Sequence, residues 1–199
     1  MFFDLYRKRW IEKINKGFER NNIVLLKGAS GQGKSTLAYR YFIDKYPELS
    51  VMCIQKVLSE EQAIDILSIL RGLNDRKDIA VYLDVEPYDV NWLWICEKAI
   101  ELGVDIKILI TIREEDFQRS AVDYSKHQFE EISLNLSKEE AMEIYDMYSQ
   151  NHYLSFDDAW KSFGEHGPLM EYIFMLNESN TMVERVRTQM ISMHHQMIN

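Results

Sequence analysis

A chain of 199 residues, 46% of them apolar, can bury the core of one domain, or of one domain with a small appendage. Only three prolines and eight glycines occur, which argues against a disordered chain, and no apolar run approaches the length of a membrane span. The formal net charge of −9 disfavours a surface dedicated to nucleic acid.

The first predicted element is an amphipathic helix from Asp4 to about Arg20. Its apolar residues recur near helical spacing, and they are Leu5, Trp10, Ile11, Ile14 and Phe18. At the start of the chain, charged residues follow the apolar ones, which is the reverse of a signal peptide, so we expect a cytoplasmic protein without a membrane partner. The basic cluster Arg7-Lys8-Arg9 is predicted to decorate a solvated helix face, with nucleic-acid contact as the alternative.

A glycine-rich loop of the form G-x-x-x-x-G-K-S follows an apolar strand at 23–26 and precedes a helix that ends near Lys45. Strand, loop and helix in this order are the setting of a phosphate-binding loop. Its glycines let the backbone approach a phosphate, and its N–H groups form an anion cradle at the helix N-terminus. Lys34 is predicted to reach the β- and γ-phosphates, and the Ser35 hydroxyl to ligate Mg²⁺. The predicted nucleotide-contacting residues of the loop are Gly28, Ser30, Gly31, Gln32, Gly33, Lys34, Ser35 and Thr36.

Strands and helices alternate through the rest of residues 1–135. Further strands are predicted at 51–54, 79–84, 106–112 and 129–134, and helices at 59–72 and 92–102. Because several strands are nearly continuous apolar runs, the pattern predicts an α/β P-loop NTPase fold with a five-stranded, mostly parallel sheet sandwiched by helices. Ligands of such sheets bind at the carboxyl ends of the strands.

Three charged residues follow predicted strands at that edge. Asp84 ends its strand as a Walker B acid does, and we expect it to hold Mg²⁺ opposite Ser35; capping of the next turn is the alternative. Glu86 is a candidate for orienting an attacking water, or else a turn residue. Arg113 ends the fourth strand, which we expect between those of Asp84 and the loop. There it would stabilise charge on the γ-phosphate, or else form an ion pair with an acid at 114–116. The predicted catalytic set is Lys34, Asp84, Glu86 and Arg113.

From residue 136 the pattern changes to helix alone, which predicts a small all-helical subdomain at 136–199. A capping box opens at Ser137, and later helices are predicted from Ser155 or Asp157, at 169–176 and at 182–197. The cysteines and histidines do not indicate a metal site. Cys53 and Cys96 lack metal-ligand spacing and are predicted to be buried, and the adjacent pair His194-His195 has no accompanying cysteine or carboxylate cluster.

Three further segments follow the phosphate loop in order. Residues 107–113 end in Thr-x-Arg, residues 130–141 pass from a strand into a helix that opens Leu-Ser-Lys-Glu-Glu-Ala, and Gly167-Pro168-Leu169 falls between later helices. From Ile23 onward the chain thereby resembles the STAND NTPases, the signal-transducing ATPases that include the NACHT and NB-ARC proteins. The resemblance implies that Pro168 lies near the adenine. Val85 stands where many members have a second Walker B acid, and Gly and Pro are adjacent here instead of spaced by one residue.

The resemblance implies an ATP-hydrolysing signalling switch whose ligands are ATP or ADP and Mg²⁺. ADP would hold the closed form, and Mg-ATP would reposition Arg113 and promote self-association through the nucleotide-binding domain. It also implies further protein domains in a larger chain and a role in defence signalling. An AAA+-type DNA-linked ATPase motor, a small-molecule kinase and an ATP-binding interaction module with negligible hydrolysis remain open, whereas the missing Asn-Lys-x-Asp motif disfavours a GTPase.

Overall fold

The computed structural model describes residues 6–46, 50–74, 79–148 and 154–177. The chain divides into two compact units, Met1–Leu134 and Asn135–Asn199. The first unit holds a parallel sheet with helices on both faces, which is the α/β arrangement predicted from the alternation of strands and helices.

The described strands of the first unit form one sheet with the order β2-β3-β4-β1-β5, and every pairing is parallel. The strands are β1 (Ile23–Gly28), β2 (Val51–Ile54), β3 (Ala80–Asp84), β4 (Lys107–Arg113) and β5 (Glu130–Ser133). The prediction that the strand of Arg113 lies between the other two is confirmed, because β4 separates β1 from β3. The register places Gly28 beside Arg113 and Asp84 beside Thr111, so the three strand ends meet at one edge.

Helices cover the two faces of this sheet with separate apolar cores. The helices of the first unit are α1 (Lys8–Arg20), α2 (Lys34–Lys45), α3 (Glu60–Asn74), α4 (Trp92–Glu101) and α5 (Glu114–Arg119). On one face Trp10 and Tyr41 pack with Leu26, and on the other Leu67 and Ile95 pack with Ile110. Burial on both faces explains why the central strands are continuous apolar runs. Within the described ranges no helix has both the length and the apolarity that crossing a membrane requires.

The edge strand β2 corrects one prediction about the cysteines. Cys96 is fully buried in α4, as predicted, but Cys53 on β2 is exposed. Only β3 pairs with β2 among the described residues, and the side chains of β2 are half-buried or exposed. An apolar run indicates a strand, but it does not show whether other elements cover that strand.

Gly17 lies inside α1 and is buried there. A Cβ at this position would lie 3.0 Å from Val24 Cγ2, so the missing side chain lets α1 pack closely on β1. The helix continues to Arg20, and the N–H of Asn21 donates to the carbonyl of Gly17 at 3.0 Å. This glycine therefore serves helix–sheet packing.

The described part of the second unit is helical. It contains α6 (Lys138–Tyr148), α7 (Phe156–Ser162) and a further helix at 169–177. The predicted caps are confirmed, because the Ser137 hydroxyl accepts from the N–H of Glu140 at 3.3 Å and Ser155 from that of Asp158 at 3.3 Å. The predicted helix at 182–197, with His194 and His195, lies outside the described residues.

Candidate nucleotide-binding site

The loop between β1 and α2 requires glycine at three positions, for two different reasons. Gly31 and Gly33 have φ angles of 78° and 76°, a left-handed conformation that side chains disfavour. Gly28 is constrained by a neighbour, since a Cβ on it would lie 2.6 Å from the carbonyl oxygen of Leu134. The Leu134 N–H donates to the carbonyl of Lys27 at 2.7 Å, which holds the chain after β5 against the loop. Neighbouring backbone thus explains Gly28 without invoking a phosphate.

Lys34 begins α2 and folds back over the loop that precedes it. Its ammonium donates to the carbonyls of Gly28 and Ala29, both at 2.9 Å. Burial lowers the pKa of Lys34, and repulsion from the Arg113 guanidinium lowers it further, while nearby carboxylates oppose the shift. The two hydrogen bonds place Lys34 Nζ over the mouth of the loop, as the phosphate-binding interpretation requires.

Ser35 and Asp84 meet across the gap between α2 and β3. The Ser35 hydroxyl donates to Asp84 Oδ2 at 2.9 Å. The two residues are 49 positions apart in sequence and were predicted to form one site. One carboxylate and one hydroxyl leave most of the coordination sphere to water and phosphate oxygens, which is how Mg²⁺ is usually held. The described residues contain no cluster of three or more acids, cysteines or histidines that could hold a metal ion.

Two residues of this site were missed by the sequence analysis. Thr111 Oγ1 donates to Asp84 Oδ1 at 2.6 Å, and the Tyr82 hydroxyl lies 3.0 Å from Thr111 Oγ1. The available signal was a threonine inside the apolar run of β4 and a tyrosine two residues before Asp84. Burial raises the pKa of Tyr82 to about 12, against hydrogen bonds with Thr111 and Ser35, so this hydroxyl stays protonated at neutral pH.

Arg113 lies at the end of β4 with an exposed side chain. In the part of the chain that the structure describes it forms no ion pair, so the alternative of a pair with residues 114–116 is not realised. Glu114 is instead 3.9 Å from Lys27, and the buried Asp116 pairs with Arg119 at 3.0 Å. The guanidinium is left facing the same cavity as Lys34.

Glu86 follows β3 and forms an ion pair with Lys56. Its Oε2 accepts from Lys56 Nζ at 2.8 Å, and both side chains are about half exposed. This hydrogen bond raises the pKa of Lys56. The Glu86 carboxylate lines the cavity but is engaged elsewhere, so its role with an attacking water stays a prediction.

Arg7 contradicts the prediction that all of cluster 7–9 faces solvent. Lys8 and Arg9 are exposed, but Arg7 is buried and donates from Nη1 to the carbonyl of Gln32 at 2.7 Å. The buried Gln32 thus offers its backbone to the segment before α1. The sequence signal is a basic cluster, and it does not show which of its members turns inward.

A cavity of about 660 Å³ gathers most of the predicted residues of this unit. That volume is within the range of small-molecule sites, roughly 300–1,000 Å³. The predicted residues that line it are Ser30, Gly31, Gly33, Lys34, Ser35, Thr36, Asp84, Glu86 and Arg113. Unpredicted lining comes from Tyr39 of α2, Tyr82 of β3 and Cys53 to Gln55 at the end of β2. Four separated segments of the chain therefore converge on one pocket, namely 30–39, 53–55, 82–87 and Arg113.

Pro168 belongs to the second unit, directly before the helix at 169–177. Its carbonyl accepts from the N–H groups of Glu171 and Tyr172, at 3.1 and 3.2 Å. Gly167 has a φ of 147°, and a Cβ there would meet the Phe163 ring at 2.7 Å. The Gly–Pro pair therefore begins a helix, and the predicted contact of Pro168 with a nucleotide stays a prediction.

The strand order, with β4 between β1 and β3, and the strand–loop–helix around Lys34 together define a P-loop NTPase fold. No model of a known protein family matches the chain. Over 74 residues, 37% of this chain, it is 32% identical to the human ATP-dependent RNA helicase TDRD9, and the match spans 5% of that helicase.

Two solved structures are similar to this chain at low identity. A chain of the E. coli MS115-1 HORMA:CdnC:Trip13 complex is 16% identical, with 71% of this chain and 54% of that chain covered and a TM-score of 0.42. The Thermotoga maritima RuvB Holliday junction branch migration motor is 14% identical, with 71% and 51% covered and a TM-score of 0.41. This chain spans about half the length of those chains, and superpositions this weak carry no weight for its function.

Proposed function

We propose that this chain binds ATP or ADP with Mg²⁺ in the 660 Å³ cavity and acts as a STAND-type signalling switch. The observation that carries the proposal is the convergence of Lys34, Ser35 and Asp84 at the carboxyl edge of the sheet, with Ser35 and Asp84 2.9 Å apart. A glycine-rich turn with no ligand would not need a charged lysine folded over its mouth and a carboxylate from another strand against its first helical turn.

The backbone of the phosphate loop and four side chains of the cavity would hold the phosphates and their metal, and these side chains are Lys34, Ser35, Asp84 and Arg113. The loop N–H groups at the start of α2 and the Lys34 ammonium bind phosphate oxygens, and Ser35 and Asp84 would hold the metal. When bound, Mg²⁺ neutralises charge on the β- and γ-phosphates. Arg113, exposed at the end of β4 and without an ion pair among the described residues, supplies a second cation on the γ-phosphate side.

The switch part of the proposal comes from the resemblance to STAND NTPases. Mg-ATP and ADP would favour different conformations, and the Mg-ATP form would self-associate through the nucleotide-binding unit. The resemblance also supports defence signalling as the setting and further protein domains as partners. Hydrolysis depends on Glu86, whose pairing with Lys56 at 2.8 Å favours slow turnover.

The binding proposal is tested by thermal unfolding with and without Mg-ATP. At ligand concentrations about 100 times Kd, binding stabilises a protein by about 2.7 kcal/mol. For a chain of this size that corresponds to an upward shift of Tm by roughly 5–10 °C. Lys34→Ala is expected to abolish the shift, because it removes the only side-chain ammonium at the mouth of the loop among the described residues.

Lys45→Ala is the matched control, since Lys45 lies exposed in the last turn of the same helix. This variant should keep the full shift. Equal shifts in the wild type and Lys34→Ala would show that ATP binds elsewhere. The switch itself is tested by light scattering, where a larger mass in Mg-ATP than in Mg-ADP is expected and equal masses would refute nucleotide-controlled self-association.

A further inference from the structure

A line of buried hydroxyl groups leads to Asp84 from inside the sheet. Thr111 Oγ1 donates to Asp84 Oδ1 at 2.6 Å, and the Tyr82 hydroxyl lies 3.0 Å from the same Thr111 oxygen. An ionised carboxylate accepts only, so the single Thr111 proton is committed to Asp84. Tyr82 must therefore be the donor to Thr111. The direction of every hydrogen bond in the line from Tyr82 to Asp84 follows from this count of protons.

The surrounding residues hold the side chains of Thr111 and Tyr82 in place. Thr111 is fully buried and Tyr82 is 3% exposed. The Tyr82 ring packs between Tyr39, at 5.2 Å between centroids, and Phe42, at 5.9 Å, both on α2. The parallel register sets Asp84 directly beside Thr111 on the neighbouring strand. The fully buried Thr111 hydroxyl therefore cannot turn to water, and the Tyr82 hydroxyl reaches it from the border of the cavity.

The two oxygens of Asp84 are consequently used differently. Oδ2 faces Ser35 at 2.9 Å, on the cavity side, and Oδ1 is occupied by Thr111. Because the hydrogen bond from Thr111 fixes Oδ1, the Asp84 carboxylate presents Oδ2 to the cavity in a single orientation. Hydrogen-bond partners of this kind typically change metal affinity by 10–100-fold when removed.

We propose that Thr111 and Tyr82 are positioning residues that aim Asp84 Oδ2 at the magnesium ion of a bound nucleotide. This inference rests on the proposed function and adds to it two residues that act through Asp84. Thr111 acts through its bond to Asp84, and Tyr82 acts through Thr111 by orienting and polarising that hydroxyl.

The test is a titration of Mg²⁺ against the affinity for a fluorescent ATP analogue, with the affinity in excess EDTA as the reference. Thr111→Val should raise the Mg²⁺ concentration at half-effect by about 10-fold or more, and Tyr82→Phe by about 3-fold. Thr111→Ser keeps the hydroxyl and should stay within about 2-fold of the wild type. Affinity in EDTA should fall much less than affinity in Mg²⁺ in Thr111→Val and Tyr82→Phe, because the loop and Lys34 are intact.

Tyr172→Phe is the control for losing a buried tyrosine hydroxyl. The Tyr172 hydroxyl is buried in the second unit and has no hydrogen-bond partner in the described part of the chain. This variant should keep the wild-type Mg²⁺ midpoint. If Thr111→Val does not fold, Tyr82→Phe decides the matter, since it removes one oxygen atom and leaves the ring packing in place.

The outcomes separate the inference from the proposed function. A wild type that binds no nucleotide at any Mg²⁺ concentration overturns the proposed function and the inference with it. If the wild type shows Mg²⁺-dependent binding but the variants have the same Mg²⁺ midpoint as the wild type, only the positioning role is overturned. A parallel loss of affinity with and without Mg²⁺ would assign Thr111 and Tyr82 to the stability of the loop, and that also overturns the inference.

Discussion

Replacing Gly28 by alanine would place a methyl group 2.6 Å from the carbonyl oxygen of Leu134. That oxygen is backbone, and the N–H of the same residue is tied to the carbonyl of Lys27 at 2.7 Å, so it cannot move aside as a flexible side chain would. Overpacking of this kind typically costs about 1–3 kcal/mol. Because Gly28 ends β1 and begins the phosphate loop, the displacement would also weaken nucleotide binding.

Gly72→Ala, in the same unit, is expected to change the stability in the opposite direction. Gly72 lies in α3, and a Cβ there would meet nothing within 4 Å. Alanine favours a helix over glycine by up to about 1 kcal/mol, so this variant should be stabilised by roughly that amount.

Equilibrium unfolding in urea, followed by tryptophan fluorescence, measures both changes. The urea midpoint of Gly28→Ala should fall and that of Gly72→Ala should rise. The slope of the unfolding free energy with urea concentration should stay unchanged in both. A Gly28→Ala protein as stable as the wild type would refute the close approach of Leu134 as the reason for glycine at this position.

Three further predictions concern the cavity. Arg113→Ala should weaken ATP binding by about 10-fold and ADP binding by much less, since a charge-assisted hydrogen bond contributes about 1.5–3 kcal/mol; equal losses for both nucleotides would remove Arg113 from the γ-phosphate. Glu86→Gln should slow single-turnover hydrolysis if Glu86 orients water, and an unchanged rate would exclude it. A thiol-specific dye should label the exposed Cys53 quickly and Cys96 only on unfolding, because burial raises the pKa of the Cys96 thiol. Mg-ATP should slow the labelling of Cys53, and two rapidly labelled thiols per chain would contradict this structure.

The parts of the site that were predictable are those with local signals. The phosphate loop is contiguous in sequence, so its motif and the flanking strand and helix were sufficient to place Lys34 and Ser35. Asp84 and Arg113 were found because each ends an apolar strand, and the carboxyl ends of parallel strands share an edge. The strand order then brought them to the same cavity, as expected.

The parts that were missed depend on pairings between distant residues. The approach of Leu134 to Gly28 and the bond from Arg7 to Gln32 join segments that no local pattern connects. The contact of Thr111 with Asp84 depends on the register between β3 and β4, which apolar runs of similar length leave undetermined. The exposure of Cys53 depends on β2 being an edge strand, and composition cannot show that.

The central claim is that this cavity binds a magnesium-nucleotide through Lys34. Isothermal titration of Mg-ATP into the wild type, Lys34→Ala and Lys45→Ala tests it most directly. We predict one site per chain in the wild type and in Lys45→Ala, and an affinity about 10–100-fold lower in Lys34→Ala, which is the equivalent of about 1.5–3 kcal/mol for a lost charged contact. Equal affinities in all three proteins, or no heat of binding to the wild type at millimolar Mg-ATP, would contradict it.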